Sequence, residues 1–197
     1  MSEVVETLPL TRKRRILGIL VPLINMPILG LNIYQTYLQL QAGVSWKSWD
    51  FTANALIIIM ILVITFVLPY YVPVYQSSYS LEKKGMLFRR FLRRPVEIAY
   101  KKIERVELYI RDEGPIEKEV ENYAKEASAK LQKVGLKFID YTNDENNIAL
   151  IISGKQVFML SPSKPKSLLK SLKQRAPKMT AKLVELHEKD KTIQELE

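Results

Sequence analysis

The sharpest chemistry in this chain is a run of cations between Lys83 and Lys102. Lys83, Lys84, Arg89, Arg90, Arg93, Arg94, Lys101 and Lys102 stand there against one acid, Glu97. Such a density of positive charge attracts phosphate. An arginine fork grips phosphate with two parallel hydrogen bonds, whereas lysine offers a point charge. These eight residues are therefore the candidate ligands for an anionic phospholipid. Topology and solvation alone also produce basic flanks of this kind, so the run has a bland reading beside the functional one. A second run, Lys164 to Lys182, holds seven cations and no acid. Phe88 and Phe91 interleave with the first run, but no recognised nucleic-acid module accompanies them, and nucleic acid is the weakest alternative.

Other chemistry has little to stand on. The chain has no cysteine and one histidine, His187, so thiolate metal sites are excluded and a zinc site has too few ligands. There is no glycine-rich phosphate loop. The carboxylates Glu97, Glu104 and Glu107, and the pair Asp140 and Asp144, are explained by strand alternation and by turns. The expectation is a protein that is not an enzyme and needs neither cofactor nor metal.

The elements that must position the cations begin with two uncharged stretches, Ile16 to Leu40 and Ala53 to Pro73. At about 1.5 Å rise per residue, a helix of either length crosses a hydrocarbon layer of roughly 30 Å. A transmembrane helical hairpin is expected over 16–75, with spans at about 16–40 and 53–73. A basic N-terminal segment, 1–15, precedes it, with little structure of its own. Arg12-Lys13-Arg14-Arg15 at its end, a neutral turn over 41–52 and a basic flank beyond the second span place both termini in the cytoplasm of a cell-membrane protein. A cleaved signal peptide is disfavoured by the length of the first apolar stretch, by Pro22 and Pro27 within it, and by the lack of a small-x-small site. Asn25 and Asn32 read as helix–helix bonds rather than a polar path, because no ionisable residue accompanies them. Trp46 and Trp49 suit one membrane interface and Tyr70, Tyr71 and Tyr75 the other.

From Gln76 the pattern changes to short strands. Period-2 alternation and turn residues predict strands over 77–81, 86–93, 95–101 and 103–111. Lys83-Lys84-Gly85 reads as a hairpin turn with Gly85 at positive φ. Phe88 and Phe91, three apart, break the alternation, which indicates a bulge or a membrane-facing edge. A helix follows over about 115–134, then strands over 136–141, 148–153 and 156–160. Ser161-Pro162-Ser163 reads as the cap of a helix from Pro165 to Arg175, with Leu168, Leu169 and Leu172 on its buried side. Met179, Leu183, Leu186 and Ile193 predict a last helix over 178–197. Both this stripe and that of 115–134 are candidate docking faces for a protein partner or a second copy.

The segments YSLEKKGMLFRR (Tyr79–Arg90), PVEIAYKKIERVELY (Pro95–Tyr109) and VFMLSPSKPKSLLKSL (Val157–Leu172) carry a resemblance. With them the chain resembles the prokaryotic proteins that place a pleckstrin-homology-like (PH-like) domain after two transmembrane helices. The resemblance spans roughly residues 76–174. It implies an α+β PH-like barrel of about seven strands over 76–177, with an inserted helix and a capping helix near its end; the alternative fold is an open α+β sheet with both helices on one face. It also implies a membrane-anchored module acting as a scaffold or recruitment protein, with anionic phospholipid binding as the alternative. Lys83, Lys84, Arg89 and Arg90 occupy ground comparable to the basic motif of phosphoinositide-binding PH domains, at a different spacing.

Overall fold

A computed structural model describes residues 3–111, 126, 129, 135–144, 146–186 and 191–196. The chain divides into two compact units, one of Arg12–Tyr75 and one of Met1–Thr11 with Gln76–Glu197.

The first unit is a pair of helices. Helix α1 runs Arg12–Gln41, so the four basic residues form its first turn rather than a separate segment. Helix α2 begins at Trp49 and ends at Tyr71, passing through a π-helical stretch at Val63–Val67. Ser48 starts it: the Phe51 N–H donates to Ser48 Oγ at 3.2 Å, and Asp50 in the first turn complements the helix dipole. Both helices are long and apolar enough to cross a membrane, and nearly all of that apolar surface is exposed. Two side-chain bonds cross between the helices: Asn25 Nδ2 donates to Thr65 Oγ1 at 2.9 Å, and Asn54 Nδ2 to Gln39 Oε1 at 3.1 Å. Asn32, expected to bond the neighbouring helix, instead donates to the Ile28 carbonyl of its own helix at 2.8 Å. Gly18 is required for packing, since a Cβ there would lie 2.7 Å from the Val74 carbonyl oxygen.

The second unit is built from two sheets. Strands β1 (Glu3–Val5), β2 (Ser77–Leu81), β3 (Gly85–Arg90) and β4 (Arg93–Ala99) form one antiparallel sheet in that order. The other contains β5 (Arg105–Arg111), β6 (Lys137–Asp140), β7 (Asn147–Ser153), β8 (Gln156–Leu160), β9 (Thr180–Leu186) and β10 (Lys191–Leu196), in the order β10-β9-β5-β7-β8-β6. Helix α3 spans Pro165–Arg175. The main core draws Tyr79, Leu81, Met86, Phe88 and Ile98 from the first sheet, Val106, Leu108, Ile151, Phe158, Leu160 and Leu183 from the second, and Leu168, Leu169 and Leu172 from α3. At its centre the Phe88 and Phe158 rings stack 5.2 Å apart, with Tyr141 on Phe88 at 5.4 Å.

Several expectations are corrected here. The strands form two separate sheets and do not close into a barrel. The segment read as the unstructured part of 1–15 contributes β1, whose Val4 pairs with Ser80. Where a last helix was expected over 178–197, Thr180–Leu186 and Lys191–Leu196 are instead antiparallel strands, β9 and β10. The reason is that β9 is central: Ala181 and Leu183 face the main core, while Val184 belongs to a second cluster with Tyr109, Leu150 and Ile152. A strand buried on both faces loses the alternation that would reveal it. Gly85 does not take positive φ. It is needed because a Cβ there would stand 2.2 Å from the Ile98 carbonyl oxygen. The Lys164 N-cap of α3 makes no side-chain cap bond; Ser161 Oγ instead accepts from the Asn143 and Asp144 N–H groups. The helix expected at 115–134 and His187 lie outside the described residues, apart from helical Glu126 and Ala129.

Candidate functional site

The first sheet divides the basic run into two groups. Because β3 pairs antiparallel with both β2 and β4, the β2–β3 turn and the end of β4 lie at one end of the sheet and the β3–β4 turn at the other. Lys83 and Lys84 sit in the first turn, and Lys101 and Lys102 in the 3-10 turn after β4. The Tyr100 N–H donates to the Lys84 carbonyl at 3.3 Å, tying these four lysines to one end. Arg89, Arg90, Arg93 and Arg94 are at the other end. Five residue steps along β3 separate the ends, roughly 17 Å. The eight cations therefore do not make one site.

At the arginine end the side chains are organised. Arg90 ends the core-facing row Met86-Phe88-Arg90 and is only 5% exposed. Its Nη1 donates to the Asp140 carbonyl at 2.9 Å, and Arg93 Nη1 reaches the same oxygen at 3.4 Å. Both guanidinium groups lie over the Tyr141 ring, at 5.5 and 5.1 Å from its centroid. Burial, then the neighbouring Arg93 charge, lowers the Arg90 pKa, against the opposing pull of Asp140. Arg89 and Arg94 are exposed.

Between these arginines lies a two-residue loop. Arg90 pairs with Arg93, leaving Phe91 and Leu92 at the tip, both exposed. Leu92 has φ of 63°, the left-handed region that glycine or asparagine enters at less cost. The register slips between Phe88 and Arg90, so that Arg94 and Pro95 together oppose Arg89. The extra residue of this bulge is on β4, whereas the Phe88–Phe91 spacing breaks alternation because Phe91 lies in the turn beyond β3. Pro95 suits the bulge because a bulge residue need not donate to the ladder.

The loop after β6 joins this end to the two points where the chain enters and leaves the sheet unit. Asn143 is fully buried. The Ser77 N–H donates to its Oδ1 at 2.7 Å, and its Nδ2 donates to the carbonyls of Ser77 at 2.9 Å and Leu8 at 3.1 Å. The Thr11 N–H donates to its backbone carbonyl at 3.1 Å. One side chain thus clamps the last residues before α1 and the first residues after α2. Nearby, the Tyr79 hydroxyl donates to the Tyr141 carbonyl at 2.5 Å and accepts from the Ser161 N–H at 3.2 Å. Burial raises the Tyr79 pKa to about 12.

The remaining sequence candidates resolve into structure. Glu107 is buried and accepts from Tyr109 Oη at 2.7 Å and Arg105 Nε at 2.8 Å. Glu104 accepts from the Gly154 N–H, and Asp140 and Asp144 accept from backbone N–H groups two residues on. Among the described residues no group of three acids or histidines is placed to hold a metal. In the second basic run, Lys164 pairs with Glu6, Lys166 with Glu185 and Arg175 with Glu3. The pairs with Glu3 and Glu6 fasten β1 and its following residues to α3, and Lys164 holds the Glu6 carboxyl below its ordinary pKa. In the helical unit Trp46, Trp49 and Tyr71 are strongly exposed, Tyr70 moderately so, and Tyr75 is half-buried. Sequence reasoning missed Asn143 and the Phe91–Leu92 loop. Comparison with models of protein families, with curated proteins and with solved structures finds no match to this chain.

Proposed function

We propose that this protein is a non-enzymatic, membrane-anchored PH-like module that acts at the cytoplasmic leaflet of the cell membrane as a scaffold or recruitment protein for protein partners. The observation that carries this reading is that residues on both sides of the helical pair belong to one folded unit: β1 pairs with β2, and Asn143 bonds Leu8 and Ser77 together. Two spans whose outer flanks share a sheet must begin and end on the same side of a bilayer. The basic first turn of α1 and the neutral turn before α2 favour the cytoplasm for that side.

The PH-like kinship is supported by four strands paired in chain-neighbour order, a second sheet across a shared core, and a leucine-faced helix packed on that core. The open sheets and the two strands after α3 depart from the simple pattern. The experiment is cross-linking of the full chain in native membranes, followed by mild-detergent extraction. A discrete complex with other proteins or with further copies is expected; a solitary monomer under every condition overturns the scaffold. The shared-side arrangement is tested separately by a Val4→Cys, Ser80→Cys pair in the otherwise cysteine-free chain. Oxidation in sealed vesicles links the two if the flanks share a side, and fails to if they do not.

The division of the basic run favours a second reading, anionic phospholipid binding, at the arginine end alone.

A further inference from the structure

We propose that the Phe91–Leu92 tip of the β3–β4 hairpin inserts into the interfacial layer of a bilayer containing anionic phospholipid, with Arg89 and Arg94 engaging headgroup phosphates at its base. This rests on the membrane-anchored reading and adds to it the element that touches lipid.

Three observations meet at this tip. The first is the residue choice. Two-residue hairpin loops ordinarily use Asn, Asp or Gly, because these tolerate the turn backbone and water. Here Phe91 is 65% exposed and Leu92 41%, and Leu92 takes a backbone conformation that disfavours a side chain. The tip thus presents an exposed aromatic and a strained, exposed leucine to solvent. Departures of this kind from local rules concentrate at functional positions.

The second is the charge around it. Arg89 and Arg94 flank the loop in the exposed positions, and residues 89–94 contain no acid. Arg90 and Arg93 turn inward onto Tyr141 and the Asp140 carbonyl. The inner pair therefore fixes the loop, and the outer pair is left to meet a ligand. An apolar tip with a cationic base is the combination that binds a lipid interface, through buried apolar area and attraction to anionic headgroups. The third is position. Arg90 pairs with Ser77, which is two residues beyond the last residue of the apolar unit, and Asn143 holds Ser77 and Leu8 at this same end.

The chain has no cysteine, so a single one reports on its own site. Pro95→Cys, labelled with a polarity-sensitive dye, reads the base of the tip while Phe91 and Leu92 stay in place. Lys84→Cys reads the opposite end of the same sheet. The full chain is reconstituted into vesicles of phosphatidylcholine, alone or with phosphatidylglycerol. With phosphatidylglycerol, the dye in the Pro95→Cys protein is expected to be quenched by lipid-borne nitroxide and shielded from aqueous iodide, and the dye in the Lys84→Cys protein to be neither. Phe91→Ser with Leu92→Asn should return the first dye to water. Leu92→Asn alone should keep or raise the thermal unfolding temperature, which separates lost insertion from lost folding. Arg89→Ser and Arg94→Ser should each lower the inserted-to-aqueous ratio about fivefold.

A dye at the Pro95→Cys position as open to iodide as that at Lys84→Cys, in both vesicles, overturns the proposal. So does a dye shielded from both quenchers, which would mark a protein contact instead. A chain that fails to float with the vesicles at high salt overturns the anchored reading itself, and the tip with it. A chain that floats with an aqueous tip overturns the tip alone.

Discussion

The two ends of the first sheet carry four cations each and use them differently. At the lysine end Lys83, Lys84, Lys101 and Lys102 project from turns closed by backbone bonds and by the Tyr100 hydroxyl, which donates to the Glu82 carbonyl. At the arginine end Arg90 and Arg93 stack on Tyr141, share the Asp140 carbonyl and sit beside the Asn143 clamp. Equal charge is therefore unequal structure. A long flexible ammonium keeps its hydration, while a planar guanidinium gives some up for a ring face and a fixed acceptor. The residue types follow this division, since all four cations at one end are lysine and all four at the other arginine.

That difference can be broken most severely at Asn143. Asn143→Ala removes the partners of three backbone groups, two on buried Ser77 and one on half-buried Leu8, and should cost about 3 kcal/mol in denaturant unfolding followed by circular dichroism. A loss below about 1 kcal/mol would mean that the clamp is incidental.

Alkaline pH sharpens the contrast next. The Tyr79 hydroxyl, buried at this end, has its pKa raised from 10.0 to about 12. A raised folded-state pKa gives stability that is fully present below pH 10 and is lost as pH climbs towards 12. The loss should approach about 2–3 kcal/mol. Tyr79→Phe should remove that pH dependence while costing roughly 1 kcal/mol at neutral pH through its lost hydrogen bonds.

Arg90→Lys comes third, at about 1.5–2 kcal/mol, because an ammonium keeps the charge and loses the stacking fork. Lys84→Ala is the smallest, within about 0.5 kcal/mol. If Arg90→Lys proved as silent as Lys84→Ala, the two ends would be energetically alike and the comparison would fail.

Much of the sheet unit was legible where turns announce themselves. Lys83-Lys84-Gly85 and Ser153-Gly154-Lys155 bracket strands whose alternation is plain, and β2, β8 and α3 occupy 77–81, 156–160 and 165–175 as the pattern predicts. The Phe91–Leu92 turn contains no turn residue, so the second strand reads three residues too long. β1 is three residues whose partner lies beyond both helices, and no local pattern can carry such a pairing. Two open sheets and a closed barrel share the same local alternation, so closure leaves no mark in the chain. At the site, the eight cations were visible but their separation was not, because it depends on which way each strand runs. Asn143 left no signal, since its partners are backbone groups that any residues would supply.

The sheet unit is discontinuous: its first strand is synthesised before both apolar helices, and that strand's partner after them. Assembly order follows from this. β1 waits, unpaired, while the whole hairpin is made, and it meets β2 only when the returning helix brings the chain back to where it started. Completion of the sheet therefore depends on the two flanks of the helical pair meeting, since without β1 the edge of β2 stays open.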